Sequence, residues 1–276
     1  MEPFIKTTEQ PSSYRHLETM PLHDLLAGMN QEDQQVPLAV QAALPQIEKL
    51  ALAVVEAMAR GGRLFYIGAG TSGRLGVLDA SEIPPTFGVS KNYVIGIIAG
   101  GNIALTDAVE NAEDDEEQGW KDLESHKVSK NDILIGLATS GTTPYVIGAM
   151  EKCRALGIVT GCITCNKHAP ISQVADFPVE VIVGPEFLTG STRLKSGTAQ
   201  KMVLNMISTI AMIRMGRVLD NKMVNMQLTN QKLIERGTRM LIEKTGLETE
   251  KAKHLLLQYG SVAAAMEAYN KDTGQI

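Results

Sequence analysis

The feature that most constrains the fold is an alternation of short apolar runs with helical segments through the middle of the chain. The runs, rich in Val and Ile, predict strands at 63–67, 93–98, 132–137, 158–165 and 179–183. The predicted intervening helices lie at about 74–82, 103–123, 144–155 and 170–175. Strands of this kind form parallel sheets with helices covering both faces. We therefore predict an α/β fold with a mainly parallel sheet in a three-layer αβα arrangement.

Helical segments flank this region on both sides. Residues 1–20 show no periodicity and are predicted to form an extended arm, followed by helices over about 21–60 that Pro37 and Pro45 divide. Residues 221–276 lack strand patterns and predict three or four helices. The expected parts are an N-terminal arm with helices over 1–50, the α/β domain over 51–218 and a small helical domain over 219–276.

Composition and charge exclude several classes of protein. The chain is 44% hydrophobic, which is too apolar for a disordered chain, and its net charge of −5 does not favour a duplex nucleic-acid partner. No uninterrupted apolar run approaches the length of about 20 residues that spans a bilayer. The first residues are polar, unlike a signal peptide, and three cysteines do not make a disulfide framework. We expect a cytoplasmic protein without a membrane partner.

The loop after the first predicted strand, residues 68–74, reads GAGTSGR and matches the dinucleotide pattern GxGxxG. That pattern also requires an acidic residue about 20 positions later for the ribose. No Asp or Glu occurs between Ile83 and Thr106, which counts against NAD. The loop also lacks the GK[ST] ending of a P-loop, which counts against ATP.

Hydroxyl side chains distinguish this loop and the one after the third predicted strand. Thr71 and Ser72 lie where glycines let backbone N–H groups converge at a helix N-terminus, an arrangement that binds anions. The segment 139–143 reads TSGTT and precedes Pro144, which suits a first helical turn. Two such units in one sheet indicate a small phosphorylated ligand. The alternative is that Gly and Thr merely form tight turns.

A third segment, 184–201, follows the last predicted strand and leads into a long helix. Ser191 and Thr192 are candidates to cap that helix, while Arg193 and Lys195 supply positive charge. The alternative is a solvated basic first turn, which the helix dipole disfavours at that end.

Three motifs carry a resemblance to a known family. They are GAGTSGRLGVLDASEIPPTFG at 68–88, AVENAEDD at 108–115 and GPEFLTGSTRLKSGTAQK at 184–201. The two Ser-Gly loops resemble a SIS domain, the sugar-isomerase fold that binds phosphosugars. The third motif is similar to the signature that the glucokinase-regulatory-protein group shares with the N-acetylmuramic acid 6-phosphate etherases. The first two motifs resemble the etherases specifically.

The resemblance implies a cytosolic lyase, without cofactor or metal, that splits the D-lactyl ether of N-acetylmuramic acid 6-phosphate during cell-wall sugar recycling. By the same resemblance Glu82 matches the family's acid and Glu113 its base. Glu82 precedes Pro84-Pro85 at the predicted helix end, where the negative end of the helix dipole favours a protonated carboxyl group. Taken alone, Glu113 belongs to an acidic run typical of a solvated helix start, and only the motif selects it.

The resemblance also implies a substrate-binding set and a homodimer whose sites are shared across subunits. The implied substrate-binding residues are Gly70, Thr71, Ser72, Ser140, Gly141, Thr142, Thr143, Ser191, Thr192, Arg193 and Lys195. Three positions depart from many relatives. Ile83 replaces Cys and Asn111 replaces Gly, and the implied mechanism requires neither. Thr142 replaces Arg, so more of the phosphate charge is left to Arg193 and Lys195.

Two other function classes fit the same motifs. One is a non-catalytic phosphosugar sensor, which needs neither Glu82 nor Glu113. The other is an aldose–ketose phosphosugar isomerase, which releases no lactate. A metal site at Cys162 and Cys165 is disfavoured because residues three apart in a strand point to opposite faces.

Overall fold

The computed structural model describes residues 4–274, which divide into two compact units. The first unit comprises residues 4–80 and Asn92–Ala211. The second comprises Ser81–Lys91 and residues 212–274. Residues 1–3, part of the predicted arm, and residues 275–276 of the last predicted helix lie outside the described residues.

The first unit is built around a five-stranded sheet, all of whose pairings are parallel. The strands are β1 (Leu64–Gly68), β2 (Val94–Ile98), β3 (Ile133–Leu137), β4 (Val159–Thr164) and β5 (Phe177–Glu180). They lie in the order β2-β1-β3-β4-β5. The last residue of β1, Gly68, pairs with Leu137 at the end of β3 and with Ile98 at the end of β2. The carboxyl ends of three neighbouring strands are therefore level.

Within the described residues, seven α-helices precede, connect or follow these strands. They are α1 (Leu22–Asp33), α2 (Gln35–Ala59), α3 (Gly70–Phe87), α4 (Gln118–Ser125), α5 (Pro144–Ala155), α6 (Pro170–Gln173) and α7 (Lys195–Arg214). Glycines in the strands show where helices approach. A Cβ on Gly136 would lie 2.3 Å from Met150 of α5, and one on Gly161 would lie 2.3 Å from Leu50 of α2. Gly161 pairs with Ile135, the neighbour of Gly136, so these two glycines face opposite sides of the sheet. The predicted αβα arrangement is confirmed.

Helix boundaries differ from the prediction where burial outweighs local propensity. Pro45 does not divide α2, which runs unbroken because its buried stripe, including Ile47 and Leu50, holds it on the sheet while Pro45 faces solvent. Likewise α3 continues through Pro84 and Pro85 to Phe87 instead of ending at Glu82.

The predicted helix over 103–123 is wrong for most of its length. Only a 3-10 turn at Gly101–Leu105 and the start of α4 at Gln118 are helical, and the acidic stretch between them forms a loop. Strand β5 also lies earlier than predicted, at Phe177–Glu180.

The second unit contains a short hairpin and three helices. These are β6 (Val218–Leu219), β7 (Lys222–Met223), α8 (Gln231–Thr245), α9 (Thr249–Tyr259) and α10 (Val262–Thr273). Helices α8 and α9 end at Gly246 and Gly260 in the left-handed conformation that glycine adopts without strain, as predicted. A separate apolar cluster, including Leu241, Leu256 and Val262, forms the core of this unit.

The segment Leu22–Ala59, which comprises α1 and α2, is long and apolar enough to cross a membrane by length and composition alone. This qualifies the expectation that no apolar run approaches that length. The same helices supply core side chains, since Val40, Ile47 and Val54 are at most 2% exposed. A core helix of this kind passes the same test, so it is weak evidence for a span.

Buried Asp132 ties the starts of β1 and β3 together, and its replacement tests this link. Its carboxylate accepts hydrogen bonds from the backbone N–H and guanidinium of Arg63 and from the backbone N–H and hydroxyl of Ser129. Burial alone would raise the pKa of Asp132, but these hydrogen bonds outweigh it and lower the pKa below the ordinary value. The stabilisation is therefore present above the unfolded-state pKa of about 3.9 and is lost as pH falls through the folded-state pKa.

We expect Asp132→Asn to lower the free energy of unfolding at pH 7 by about 2 kcal/mol, because charged hydrogen bonds are lost. Urea denaturation at pH 7 and again below pH 4 measures this, and the difference between variant and native protein should shrink at the lower pH. Asp33→Asn, at an exposed carboxylate, serves as the control. Equal stability of Asp132→Asn and the native protein at pH 7 would contradict the proposed link.

Candidate functional site

Two glycine-rich loops meet at the carboxyl edge of the sheet. The first loop, residues 69–73, follows β1 and includes the first turn of α3, which begins earlier than predicted. The third loop, named for the strand that it follows, comprises residues 138–143 after β3. Because β1 and β3 are parallel neighbours in register, the loops lie side by side. Ligands of open α/β sheets bind at this edge.

The first loop turns tightly into α3. Gly70 has a φ of 51°, and a Cβ on Gly68 would lie 2.7 Å from the backbone nitrogen of Gly73, so the chain folds back closely on itself. The Ser72 hydroxyl is buried and donates to Gln200 Oε1 at 2.8 Å. Gln200 in turn donates to the carbonyl of Ile163 at 3.3 Å, which ties the first loop to β4 through α7. Among the loop's hydroxyls, that of Ser72 therefore points inward.

The third loop is closed by its own hydroxyls. Ser140 Oγ accepts hydrogen bonds from the backbone N–H and the hydroxyl of Thr142, at 3.3 and 3.2 Å. Gly141 has a φ of 73°, and a Cβ there would lie 2.3 Å from Ala169 Cβ, so no other residue fits without displacement. Thr143 takes the N-cap position of α5 ahead of Pro144. Ser140 and Thr142 remain half-exposed at the surface of the loop.

Asn166, which sequence reasoning missed, holds the backbone of the third loop by hydrogen bonds. Its buried amide donates to the carbonyls of Thr139 at 3.0 Å and Ser140 at 3.2 Å. The same side chain accepts from Thr7 Oγ1 at 2.9 Å and donates to Thr8 Oγ1 at 3.0 Å. The predicted N-terminal arm is thus joined to the site through one asparagine. A lone Asn after a strand carries no motif, so no sequence signal identified it.

The arm makes a second attachment further along. The hydroxyl of Ser12 donates to the carbonyl of Phe187 at 2.7 Å, and the ring of Tyr14 packs on Phe187 with centroids 4.6 Å apart. Residues 4–20 therefore lie against the first unit in an irregular path with two short 3-10 turns. Burial of Thr8 and Ser12 shows that part of the arm belongs to the core.

The N-terminus of α7 is capped by Glu186, which corrects the expectation for Ser191 and Thr192. The buried carboxylate of Glu186 accepts from the backbone N–H of Lys195 at 2.9 Å and from both the N–H, at 3.0 Å, and the hydroxyl, at 2.7 Å, of Ser196. A carboxylate is stabilised at this end by the helix dipole. The sequence places Glu186 nine residues before the helix, outside the spacing that cap rules cover.

The predicted cations differ in exposure. Lys195 is buried, and its ammonium group pairs with Glu32 of α1. Arg193 is exposed in the turn before α7. Ser191 and Thr192 lie half-exposed beside it. Of these two predicted cations, Arg193 is the one open to solvent.

Glu113 lies beside the first loop. It lines a cavity of about 220 Å³ together with Ala69 and Gly70. Its carbonyl accepts a hydrogen bond from the backbone N–H of Tyr145 in α5, at 3.0 Å, which holds this loop against the helix that follows the third loop. Asn111 nearby has a φ of 60°, a left-handed conformation that Asn tolerates better than most residues other than glycine.

The acidic run around Glu113 is a structured loop. Asp115 Oδ1 accepts hydrogen bonds from the backbone N–H groups of Glu117 and Gln118, each at 3.0 Å, and so caps α4. The side chain of Glu113 itself is exposed.

Glu82 is also exposed, and it belongs to the second compact unit, whereas Glu113 belongs to the first. Because α3 continues to Phe87, Glu82 is not the terminal residue of its helix. The expectation that the negative end of the helix dipole acts on Glu82 as a terminal group is therefore wrong.

The cysteines are buried. Burial raises the pKa of both Cys162 and Cys165 to about 12, so their thiols resist ionisation. Within residues 4–274, no group of three or more His, Cys, Asp or Glu side chains is placed to hold a metal ion.

Comparison with known proteins agrees with the observed fold. Residues 46–154 match the family model described as the Glucokinase regulatory protein N-terminal SIS domain, and residues 109–210 match that of the SIS domain. The phosphoheptose isomerase of Francisella tularensis, a solved structure, has a TM-score of 0.53 at 19% identity. That match covers 70% of this chain and 98% of that one, and it supports the SIS-type fold.

Curated relatives cover almost the whole chain. The N-acetylmuramic acid 6-phosphate etherase of Bacteroides thetaiotaomicron is 61% identical over 268 residues, covering 97% of each chain. The protein of the same name from Bacteroides fragilis is 60% identical over 266 residues, covering 96% of this chain and 95% of that one.

Gly141 and Gly157 offer a matched test of the third loop, since both have a φ of 73°. A Cβ on Gly157 meets no atom within 4 Å, whereas one on Gly141 meets Ala169. We expect Gly157→Ala to cost about 1 kcal/mol of stability from backbone strain alone, and Gly141→Ala about 2 kcal/mol more from overpacking.

The third loop belongs to the predicted phosphosugar-binding set, so only Gly141→Ala, which displaces it, should also weaken phosphosugar binding. Isothermal titration calorimetry with N-acetylglucosamine 6-phosphate, the amino sugar 6-phosphate without the lactyl group, measures this. Urea denaturation provides the stability values. If both variants bind this phosphosugar as tightly as the native protein, the predicted role of the third loop in phosphosugar binding is refuted.

Proposed function

The chain belongs to the N-acetylmuramic acid 6-phosphate etherases, and we propose that it cleaves the D-lactyl ether of N-acetylmuramic acid 6-phosphate. The products would be N-acetylglucosamine 6-phosphate and D-lactate. The observation that carries this proposal is the near-complete coverage by etherases at about 60% identity. The position of Glu113 in a cavity beside the first loop supports it.

The chemistry begins with removal of the proton on sugar C2 by the carboxylate of Glu113. In the open-chain aldehyde this proton is acidified by the neighbouring carbonyl, and the electron pair forms the C2–C3 double bond as the C3–O bond to lactate breaks. Glu113 suits the role of base because its side chain is exposed while its backbone is held by Tyr145.

Glu82 donates a proton to the departing lactate oxygen, as its match to the family's acid implies. Water then adds across the double bond, with hydroxide joining C3 while Glu113 returns a proton to C2. Glu82, now ionised, can accept the proton of that water, which restores both carboxyl groups. This reaction makes the enzyme a carbon–oxygen lyase that acts in amino-sugar catabolism and cell-wall recycling.

The phosphate is held at the carboxyl edge by the first and third loops. Half-exposed Ser140 and Thr142 supply hydroxyls, and exposed Arg193 supplies charge. Gly70, Thr71, Gly141, Thr143, Ser191 and Thr192 complete the proposed binding set. Ser72 and Lys195 are buried and act indirectly. Ser72 is bonded to Gln200 and Lys195 is paired with Glu32, and these contacts position the segments that bind the phosphate.

We also propose a cytoplasmic homodimer. Helices α1 and α2 expose several large apolar side chains, which supports an interface with a second copy. Exposed fractions are 73% for Leu22, 61% for Leu26, 59% for Leu38 and 57% for Leu52. Exposed apolar patches of this kind often mark surfaces that are buried against a partner protein.

Replacement of each proposed catalytic carboxylate should separate the two proton transfers. We expect Glu82→Gln to lower D-lactate release at least about 1,000-fold while Glu113 still exchanges the C2 proton with D₂O. Glu113→Gln should abolish both lactate release and exchange. A coupled D-lactate assay and NMR of C2 deuteration measure the two steps.

Glu117→Gln is the matched control, since Glu117 lies in the same acidic run but pairs with Lys121 at the surface. It should keep native rates. Normal lactate release by Glu82→Gln would rule out its role as acid. Sugar-phosphate interconversion without lactate would indicate an isomerase, and binding without any turnover would indicate a sensor.

Light scattering after size-exclusion chromatography tests the dimer. We expect the native chain to elute at twice its mass of 29.8 kDa and the double variant Leu26→Glu, Leu38→Glu to elute as a monomer. Leu257→Glu, at an equally exposed leucine of the second unit, should leave the mass unchanged. A native mass of one chain would contradict the homodimer.

A further inference from the structure

The cavity that contains Glu113 is unusual in its charge. Three carboxylates line it, those of Asp107, Glu110 and Glu113, and Arg74 is the one cation among its lining residues. The rest of the lining is small or apolar apart from Asn111, with Ala, Gly and Val predominating. A negatively charged ligand can enter such a cavity only where Arg74 offsets the carboxylates.

Arg74 is held in a defined orientation. Its Nε donates to the carbonyl of Leu105 at 3.1 Å, and its Nη2 donates to the carbonyl of Asp107 at 3.2 Å. A guanidinium group has five N–H donors, so three remain after these two bonds. Within residues 4–274, the structure gives Nη1 no hydrogen-bond partner. The side chain is therefore fixed by the segment that contains Leu105 and Asp107, while part of the guanidinium group stays available.

The proposed substrate carries a second anion besides its phosphate. Its lactyl ether oxygen is bonded to C3, the carbon next to the C2 whose proton Glu113 removes. The lactyl group must therefore lie close to the Glu113 carboxylate during the reaction. A cavity of about 220 Å³ that contains Glu113 has room for this three-carbon acid.

We infer that Arg74 binds the lactyl carboxylate of the substrate and so selects muramic over other amino sugar 6-phosphates. The inference rests on the proposed etherase function. A planar guanidinium group suits a carboxylate because parallel N–H groups match its two oxygens. The two bonds to Leu105 and Asp107 orient this group in advance, which reduces the entropy lost on binding.

A purely structural role for Arg74 predicts a different outcome. If it only holds the loop of Leu105 and Asp107, its loss disturbs Glu113 for every ligand alike. Recognition of the carboxylate affects only ligands that carry one. N-acetylglucosamine 6-phosphate, which lacks the lactyl group, distinguishes the two roles because its C2 proton is removed by the same base.

The test compares Arg74→Gln and Arg74→Lys with the native full-length chain. One readout is kcat/KM for lactate release from N-acetylmuramic acid 6-phosphate and for release of lactamide from the analogue whose lactyl carboxylate is a carboxamide. The other is C2 deuterium exchange into N-acetylglucosamine 6-phosphate in D₂O. Arg154→Gln is the control, since Arg154 also donates to a backbone carbonyl, that of Gln173, outside the cavity.

We expect Arg74→Gln to lower kcat/KM for the carboxylate substrate about 30-fold, the effect of losing a charge-assisted hydrogen bond. Exchange should stay within about twofold of native, and the native preference for carboxylate over carboxamide should disappear. Arg74→Lys should retain part of the preference because it keeps the charge. Arg154→Gln should match the native enzyme in every readout.

Equal losses of lactate release and exchange in Arg74→Gln, or an undiminished preference for the carboxylate, would overturn the inference. Absence of lactate release from the native chain would instead overturn the proposed function, and the inference with it. If Arg74→Gln fails to fold, Arg74→Lys decides the question. An undiminished preference of Arg74→Lys for the carboxylate over the carboxamide substrate would then overturn the inference.

Discussion

The in-register parallel pairing of β1 with β3 is the constraint on which the rest of the structure depends. It brings Gly68 opposite Leu137, so two loops that are about 70 residues apart in the chain open at the same edge. Each loop then begins a helix, α3 or α5, whose first-turn N–H groups point toward that edge. The loop carrying Glu113 reaches the same edge because its backbone is bonded to Tyr145 in the first turn of α5. One strand pairing thus determines where the two loops and Glu113 can meet.

Buried polar side chains hold these loops in place. Gln200 joins the first loop to β4, Asn166 joins the third loop to the arm, and Glu186 caps α7. Each is almost fully buried and hydrogen-bonded, which is the condition under which a buried polar group is tolerated. Because none of them is open to ligand, their contribution is to restrict the conformations of residues that are. Rigid placement of this kind is what a site for proton transfer requires.

The sequence alone predicted the parallel sheet and the two hydroxyl-rich loops, because each depends on local patterns of Val, Ile, Gly and Thr. It did not predict what depends on contacts between distant residues. The pairing of Lys195 with Glu32 and the cap by Glu186 join segments that no short motif connects. Helix limits at Pro45 and Pro84 were misjudged because burial of apolar neighbours outweighed the lost N–H groups. The proposed roles of Glu82 and Glu113 depend on family motifs, which local residue patterns do not supply.

The cap on α7 has a consequence for how the protein exists between catalytic cycles. In many phosphate-binding folds the ligand itself interacts with the exposed N–H groups at the N-terminus of a helix. Here Glu186 provides a permanent internal anion that occupies the end of α7 through Lys195 and Ser196. Helix α7, which contacts the first loop through Gln200, is therefore capped without any ligand. The N–H groups of Lys195 and Ser196 at the start of α7 therefore keep a hydrogen-bond partner within the protein whether or not a ligand is bound.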